Sequence, residues 1–342
     1  MQNPRYSFYS LTGGRKTRNC ILACGLLALC LRPNYGQPAP NLTGSSPADP
    51  GSLFSDSSFE PRPKIRVDSN LVVVPVTVTD NKGHVVTGLQ KEHFSLFEDK
   101  VEQQITHFAS EDAPASIGVI LDTSDSMSPK LQKAREAVAA LIRSSNSDDE
   151  FFLETFSDRT RFLVGLTTHH EELLGRLKTV HTDGGTALLD AVANGLNEMK
   201  NARYNRKTVV IVSDGEDNAS HLTVSELQKV VHDSDVLIYA IGLVDSSSSS
   251  WQSSQSTAGA MLLKHIATES GGRLFVLKGL KQLPEITSKI GLWVRNQYIL
   301  AFSPANVENR QGYHRIQVKI AKPKGFPSMH AAWRLGYYTP AQ

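Results

Sequence analysis

Ile117-Gly118-Val119-Ile120-Leu121-Asp122-Thr123-Ser124-Asp125-Ser126 is a run of aliphatic and β-branched residues that stops at an acid and passes into small hydroxyls. A helical pattern from about Pro129 to Arg143 follows, so the stretch predicts a buried strand, a loop and a helix. In an open α/β sheet that loop is where ligands bind. Alternate residues of an extended loop point to one side, so Asp122, Ser124 and Ser126 can aim three oxygens at one point. Two more oxygen groups stand at comparable places downstream. Thr186, in Gly184-Gly185-Thr186, precedes a second helical pattern, and Asp214 ends the apolar run Val209-Val210-Ile211-Val212-Ser213. Five hard oxygen donors with no nitrogen or sulfur suit a small divalent cation, Mg²⁺ or Mn²⁺. A helix-capping role for Ser126 or Ser128, ahead of Pro129, is compatible with that chemistry.

With these three segments in the same order and context, residues 113–295 resemble a von Willebrand factor type A domain carrying a metal-ion-dependent adhesion site. The resemblance implies a doubly wound, mostly parallel six-stranded α/β sheet. It also implies roles: Ser124, Ser126 and Thr186 bind the cation directly or through water, and Asp122 and Asp214 sit in or near its inner coordination sphere. A cation held largely by neutral hydroxyls keeps much of its charge and an open position, which favours a Glu or Asp carboxylate from a partner protein. In family members that switch, the second aspartate changes how it reaches the metal and the last helix moves, here Leu280 to Arg295.

Between the site segments, strand and helix patterns alternate, as a doubly wound sheet requires. Phe151 to Phe156 and Arg161 to Leu166 read as a hairpin around Ser157-Asp158-Arg159-Thr160. A helix is expected from Thr186 to about Ala202, with Leu188, Leu189, Val192, Leu196 and Met199 as its core stripe. Val224 to Ser234 and Ala260 to Ser270 read as helices, and Lys207 to Ser213, Asp235 to Leu243 and Arg273 to Leu277 as strands. Asp245 to Thr257 is nearly all serine around Trp251, a flexible excursion or a partner contact.

The flanks follow a different rule. From Ile65 to Phe108 the apolar residues alternate with period two, with turn residues at Asp80-Asn81-Lys82-Gly83, giving strands at Leu71 to Thr79, Val85-Val86, Phe94 to Asp99 and Gln104 to Phe108. These are too few for a sandwich with two covered faces. Gln297 to Phe302, His314 to Ile320 and Ala331 to Tyr338 read as further strands, with turns at Asn306 to Gly312 and Lys322 to Pro327. The expectation is one β-sandwich built from residues 63–112 and 296–340, with the central domain inserted in it; two separate appendages are the alternative. The Val-rich strand, Phe94, Gln297-Tyr298 and Gly336-Tyr337-Tyr338 resemble a group of exported bacterial proteins labelled VWFA-related, common in acidobacteria.

Residues 1–36 read as a signal peptide: a basic segment ending at Arg18, then an apolar run from Cys20 to Leu31. As a helix that run would reach about 18 Å, short of the roughly 30 Å hydrocarbon core, so no transmembrane span is expected in the mature chain. Cys20, Cys24 and Cys30, the chain's 3 cysteines, all lie there; a lipoprotein anchor at Cys24 or Cys30 is disfavoured by the short run before one and Leu29 before the other. Residues 37–62, rich in Pro, Ser and Gly, read as a disordered linker. The triplets at Asn41 and Asn218 fit the glycosylation pattern, which is common by chance.

The 342-residue chain is 40% hydrophobic and 20% charged, the balance of a globular protein with room for two domains. Removing the five basic residues of the leader from its 36 leaves 31 against 34 acidic, near −3, with no global basic footprint for nucleic acid. Enzyme readings fare poorly: Ser124 stands where a haloacid dehalogenase needs its second acid, no Gly-x-Ser-x-Gly surrounds the serines, and no His-Glu-x-x-His occurs among the 11 histidines. Two functions remain. One is a secreted or periplasmic module that captures an acidic side chain through the cation; the other is a structural or self-assembling envelope protein whose ion only stabilises the loops. Around the site, Asp125, Glu216 and Asp217 read as solvated or rim residues, Asp183 as a turn residue and Asp190 as a helix-face residue.

Overall fold

The computed structural model describes residues 71–110, 112–243, 254–277, 279–304 and 312–339. The expected leader, the linker, the cysteines, Asn41, residues 245–253 of the serine-rich loop and residues 306–311 of the Asn306 turn lie outside the described residues.

In chain order, four strands come first: β1 (Val72–Asp80), β2 (Phe94–Glu98), β3 (Val101–Gln103) and β4 (His107–Ala109). The central unit follows: β5 (Ser116–Asp122), α1 (Leu131–Ser144), β6 (Glu150–Phe156), β7 (Thr160–Thr167), α2 (His170–Leu177), α3 (Leu188–Glu198), β8 (Lys207–Ser213), α4 (Val224–Asp233), β9 (Leu237–Leu243), α5 (Ser254–Glu269), β10 (Arg273–Leu277) and α6 (Leu283–Arg295). Four strands close the chain: β11 (Tyr298–Phe302), β12 (Gly312–Ile320), β13 (Met329–Trp333) and β14 (Gly336–Thr339).

The central sheet runs β10-β9-β8-β5-β6-β7 and is parallel except for β7, which returns antiparallel on β6. Its middle strands are apolar at nearly every position because both faces are covered. Ile117, Val119 and Leu121 of β5 join Val138 and Leu141 of α1 and Ile290 and Val294 of α6 in one core. Ile120 points the other way, into a core with Leu188 and Val192 of α3, Leu227 of α4 and Leu263 of α5. At roughly 1.5–3 kcal/mol for each fully buried large aliphatic side chain, these two layers fix the register of β5 and hence the position of Asp122.

The flanking strands form two four-stranded sheets, β13-β1-β11-β4 and β14-β12-β2-β3. Val74, Val76 and Val78 of β1 pack with Leu96 of β2, Leu300 and Phe302 of β11 and Val318 of β12 in one core. β1 lies between β11 and β13, so neither end of the chain can bury its valines without the other. The chain leaves this sandwich at β4 and returns at β11, and those two strands pair directly (Leu300 opposite Phe108).

Several local readings change. Ala331 to Tyr338 is two strands in different sheets, because buried Arg334 turns out of the alternation to donate from Nη1 to the Ser234 carbonyl at 3.0 Å. Val85 makes only an isolated bridge with Thr79, and of the strand expected at Gln104 to Phe108 only His107 and Phe108 are in a strand, β4, while β3 ends before it at Gln103. The first helix starts at Leu131 after a 3₁₀ turn over Asp125–Met127, which keeps the site loop out of the helix. The helix expected from Thr186 starts at Leu188, and that expected from Ala260 starts at Ser254. α2 has no counterpart among the sequence expectations; its eight residues carry only Leu173, Leu174 and Leu177 as buried positions.

One core feature sets a pH dependence. Glu154 on β6 is fully buried, with Oε1 accepting from Asn194 at 2.8 Å and Oε2 without a hydrogen-bond partner among the described residues. Burial pushes its carboxyl up to about 8, and nearby Glu198 adds to the rise. The folded chain therefore holds a proton that the unfolded chain releases above the ordinary value of 4.5. This group's contribution is most favourable below that value and declines by about 1.4 kcal/mol per pH unit until pH passes about 8. Glu154→Gln is expected to remove that slope: urea midpoints of variant and wild type should differ by much more at pH 8 than at pH 5.

Candidate metal centre

The site lies where β5 and β8 end, at their carboxyl edge. Asp122 closes β5 and is fully buried, as Ser124 almost is. Asp122 Oδ1 accepts from the Ser124 backbone N–H at 2.9 Å and from Ser124 Oγ at 2.6 Å, and Ser124 Oγ lies 3.1 Å from Ser126 Oγ. The alternate-residue spacing thus brings the three oxygen groups of this loop together. The other oxygen, Asp122 Oδ2, accepts from Ser213 Oγ at 2.6 Å, which ties the end of β5 to the end of β8.

Asp214 follows Ser213 directly. Its Oδ2 takes a hydrogen bond from Lys130 Nζ at 2.7 Å and its Oδ1 one from the Glu216 backbone N–H at 3.3 Å. The next residue, Gly215, has φ +89°, a conformation that side chains with a Cβ rarely adopt, and a Cβ there would lie 2.3 Å from the Gly259 carbonyl. This turn lets the chain leave β8 sharply and leaves Asp214 at the strand end.

Thr186, buried in the loop before α3, is held from both sides. Its N–H donates to Asn218 Oδ1 at 2.8 Å, and its carbonyl accepts from the N–H groups of Asn218 and Ala219. The preceding residues connect to the first loop: Asp125 N–H donates to Gly184 O at 3.0 Å, and Asp183 N–H to Thr123 O at 2.8 Å. The backbone therefore stitches all three loops into one rim.

Sequence reasoning left open or missed the roles of several residues of this rim. Asp217, read as a solvated or rim residue, belongs to the rim and caps α3: its Oδ1 accepts from Leu188 N–H at 2.9 Å and from Ser220 Oγ, answering the unpaired amides at the start of that helix. Asp190 pins the loop after β8 through the N–H groups of His221 and Leu222. Asp158, in the β6–β7 turn, accepts from Gly185 N–H. Asn218, seen in sequence only as a glycosylation triplet, uses its side-chain oxygen on Thr186. Lys130 and Ser213 carried no local signal, since their partners lie 84 and 91 residues away.

The two acids are in unlike surroundings. Burial pushes the Asp122 carboxyl up to about 6; the hydrogen bonds from Ser124 and Ser213 oppose the rise, and the charge of Asp214 adds to it. Among the described residues the donors to Asp122 are neutral, whereas Asp214 has an ammonium. Two carboxylates against one ammonium leave the centre with a net negative charge, and its remaining donors are hydroxyls. That set fits a hard divalent cation such as Mg²⁺ or Mn²⁺. Among the described residues no group of three or more His, Cys, Asp or Glu that could hold a metal occurs, so hydroxyls and water would have to complete any coordination here.

Comparison with known proteins follows the same segment. The von Willebrand factor type A domain model matches residues 116–289. Over 133 residues the chain is 27% identical to inter-alpha-trypsin inhibitor heavy chain H4 of Sus scrofa, a match that covers 35% of this chain and 14% of that protein. Among solved structures it is similar to von Willebrand factor type A from Catenulispora acidiphila, at 13% identity over 80% of this chain and 74% of that one, with a TM-score of 0.46. It is also similar to the conserved hypothetical protein BatB from Bacteroides thetaiotaomicron, at 14% identity over 52% of this chain and 97% of that one, with a TM-score of 0.43. The family match takes in just over half of the chain, from the first residue of β5 into α6, and the chain belongs to the von Willebrand factor type A domain family, whose members mediate protein–protein interaction and adhesion.

Proposed function

We propose that the chain is an exported binding module in which Asp122, Ser124, Ser126, Thr186 and Asp214 hold Mg²⁺ or Mn²⁺ and, through it, an acidic side chain of a protein partner. The observation that carries this reading is the buried Asp122 carboxylate at the end of β5, bonded among the described residues by neutral donors and by Ser124 Oγ, which in turn lies beside Ser126 Oγ. When bound, the cation supplies a Lewis-acidic position for a carboxylate oxygen. The chain supplies the rest. Ser213 and the Ser124 amide orient Asp122, Asn218 fixes the Thr186 backbone, and the three neutral hydroxyls leave the cation's charge largely uncancelled. The work of such a centre is binding, not bond-breaking.

Export rests on the basic and apolar leader of residues 1–36, and domain limits of 37–62, 63–112, 113–295 and 296–340 go with it. Among the described residues no helix is long and apolar enough to cross a membrane.

The test uses the immobilised chain and the envelope and secreted fractions of the source cells. It is run in Mg²⁺, in chelator, and in Mg²⁺ after the carboxyl groups of the fraction have been amidated. A species retained only in the first condition is the expected result. Retention of the same species in chelator overturns metal-mediated capture. A rise in melting temperature with Mg²⁺ but no retained species assigns the ion to loop stabilisation instead.

A further inference from the structure

Lys130 occupies a position that neither its helix nor its solvation explains. It is the N-cap of α1, where its carbonyl accepts from Ala134 N–H, and its side chain makes no capping bond. Helix amino ends favour Ser, Thr, Asp or Asn, and a positive charge there opposes the helix dipole. The side chain is also only 13% exposed, which removes an ammonium from most of its water. Both costs are offset by one contact, the 2.7 Å ion pair with Asp214 Oδ2, whose own side chain is 8% exposed. The lysine is therefore placed for Asp214. Asp122, at the same centre, has no such partner among the described residues and is bonded there by Ser124 and Ser213.

We propose, resting on the metal reading above, that Lys130 is a positioning residue of the centre. It is a tethered ammonium that neutralises Asp214, so that Asp122 is the carboxylate whose charge acts undiminished on the cation. The lysine thereby weakens metal binding and strengthens the pull on an incoming carboxylate. A residue on α1 sets how the cation's charge is shared between its holder and its ligand. Two unit charges a few ångströms apart near a protein surface interact strongly enough for one ammonium to decide that division.

The experiment is calorimetric titration of Mn²⁺ into the full chain at fixed ionic strength, for wild type, Lys130→Met, Lys130→Arg, Asp214→Asn and Lys130→Met in the Asp214→Asn background. Circular dichroism checks the fold of each. Lys130→Met is expected to bind Mn²⁺ about tenfold more tightly, roughly 1.4 kcal/mol. Lys130→Arg should stay near wild type, and the gain should vanish in the Asp214→Asn background. In the Mn²⁺-loaded proteins, acetate should displace bound water at lower concentration in wild type than in Lys130→Met, read by water-proton relaxation. Equal or weaker Mn²⁺ binding in folded Lys130→Met overturns this inference while leaving the metal reading standing. A gain that persists without Asp214 overturns the route through that carboxylate. Failure of wild type and every variant to take up Mn²⁺ overturns the metal reading, and this one with it.

Discussion

Asp122→Asn is expected to weaken Mn²⁺ binding by at least about a hundredfold, roughly 2.7 kcal/mol, without lowering the thermal stability of the metal-free chain. The substitution removes the carboxylate of the proposed centre that has no ammonium partner among the described residues, so a cation held there would lose its main source of charge. The shape of the network survives. The carbonyl oxygen of the substituted amide would still accept from the Ser124 N–H and hydroxyl. Its NH₂ group would donate to Ser213 Oγ, which already accepts from the Gly215 N–H at 2.9 Å. A buried charge is also removed, and burial is the largest influence on this group. Calorimetric titration with Mn²⁺ and thermal melts in chelator check both halves. A variant that binds Mn²⁺ like wild type would remove Asp122 from the metal centre.

The second large effect concerns the framework. Gly272→Ala is expected to destabilise the chain by about 3 kcal/mol or more, read as a fall in urea midpoint. A Cβ at residue 272 would lie 1.9 Å from the Ile238 carbonyl oxygen and 2.7 Å from its carbon. Those are backbone atoms of β9, so no side-chain rotation relieves the overlap. Gly272 is itself held by its N–H bond to Ala267 O at 2.9 Å, at the turn from α5 into β10. Either β10 moves off β9, losing the pairing of Arg273 with Tyr239 and its neighbours, or the turn opens. An unchanged midpoint would mean that this edge of the sheet yields easily.

The six-stranded sheet could be read from sequence because its signals are local. β5, β8 and β9 are apolar runs bounded by polar residues, and β10 matches its expected limits to the residue. The convergence of Asp122, Ser124 and Ser126 was equally legible, since it depends only on alternation along one loop. What could not be read depends on distant partners. Lys130 looks like a residue of an amphipathic helix until β8 brings Asp214 beside it, and Asp217 looks solvated until α3 presents its free amides. The split of Ala331 to Tyr338 has the same origin: the alternation continues through Arg334, and its hydrogen-bond partner, the carbonyl of Ser234, lies 100 residues away.

The place where the sandwich meets the central unit has a mechanical consequence. Arg206, just before β8, donates to Gln297 O, Arg334 reaches Ser234 just before β9, and a Cβ on Gly271, before β10, would strike the Trp333 backbone. The sandwich therefore grips the amino ends of the parallel strands, while Asp122 and Asp214 stand at the carboxyl ends, about 20 Å away along a seven-residue strand. A pull applied at the Asp122 end against an anchored sandwich would run along the axis of β5. Its hydrogen bonds to β6 and β8 would then be loaded together, in shear, instead of being opened one after another.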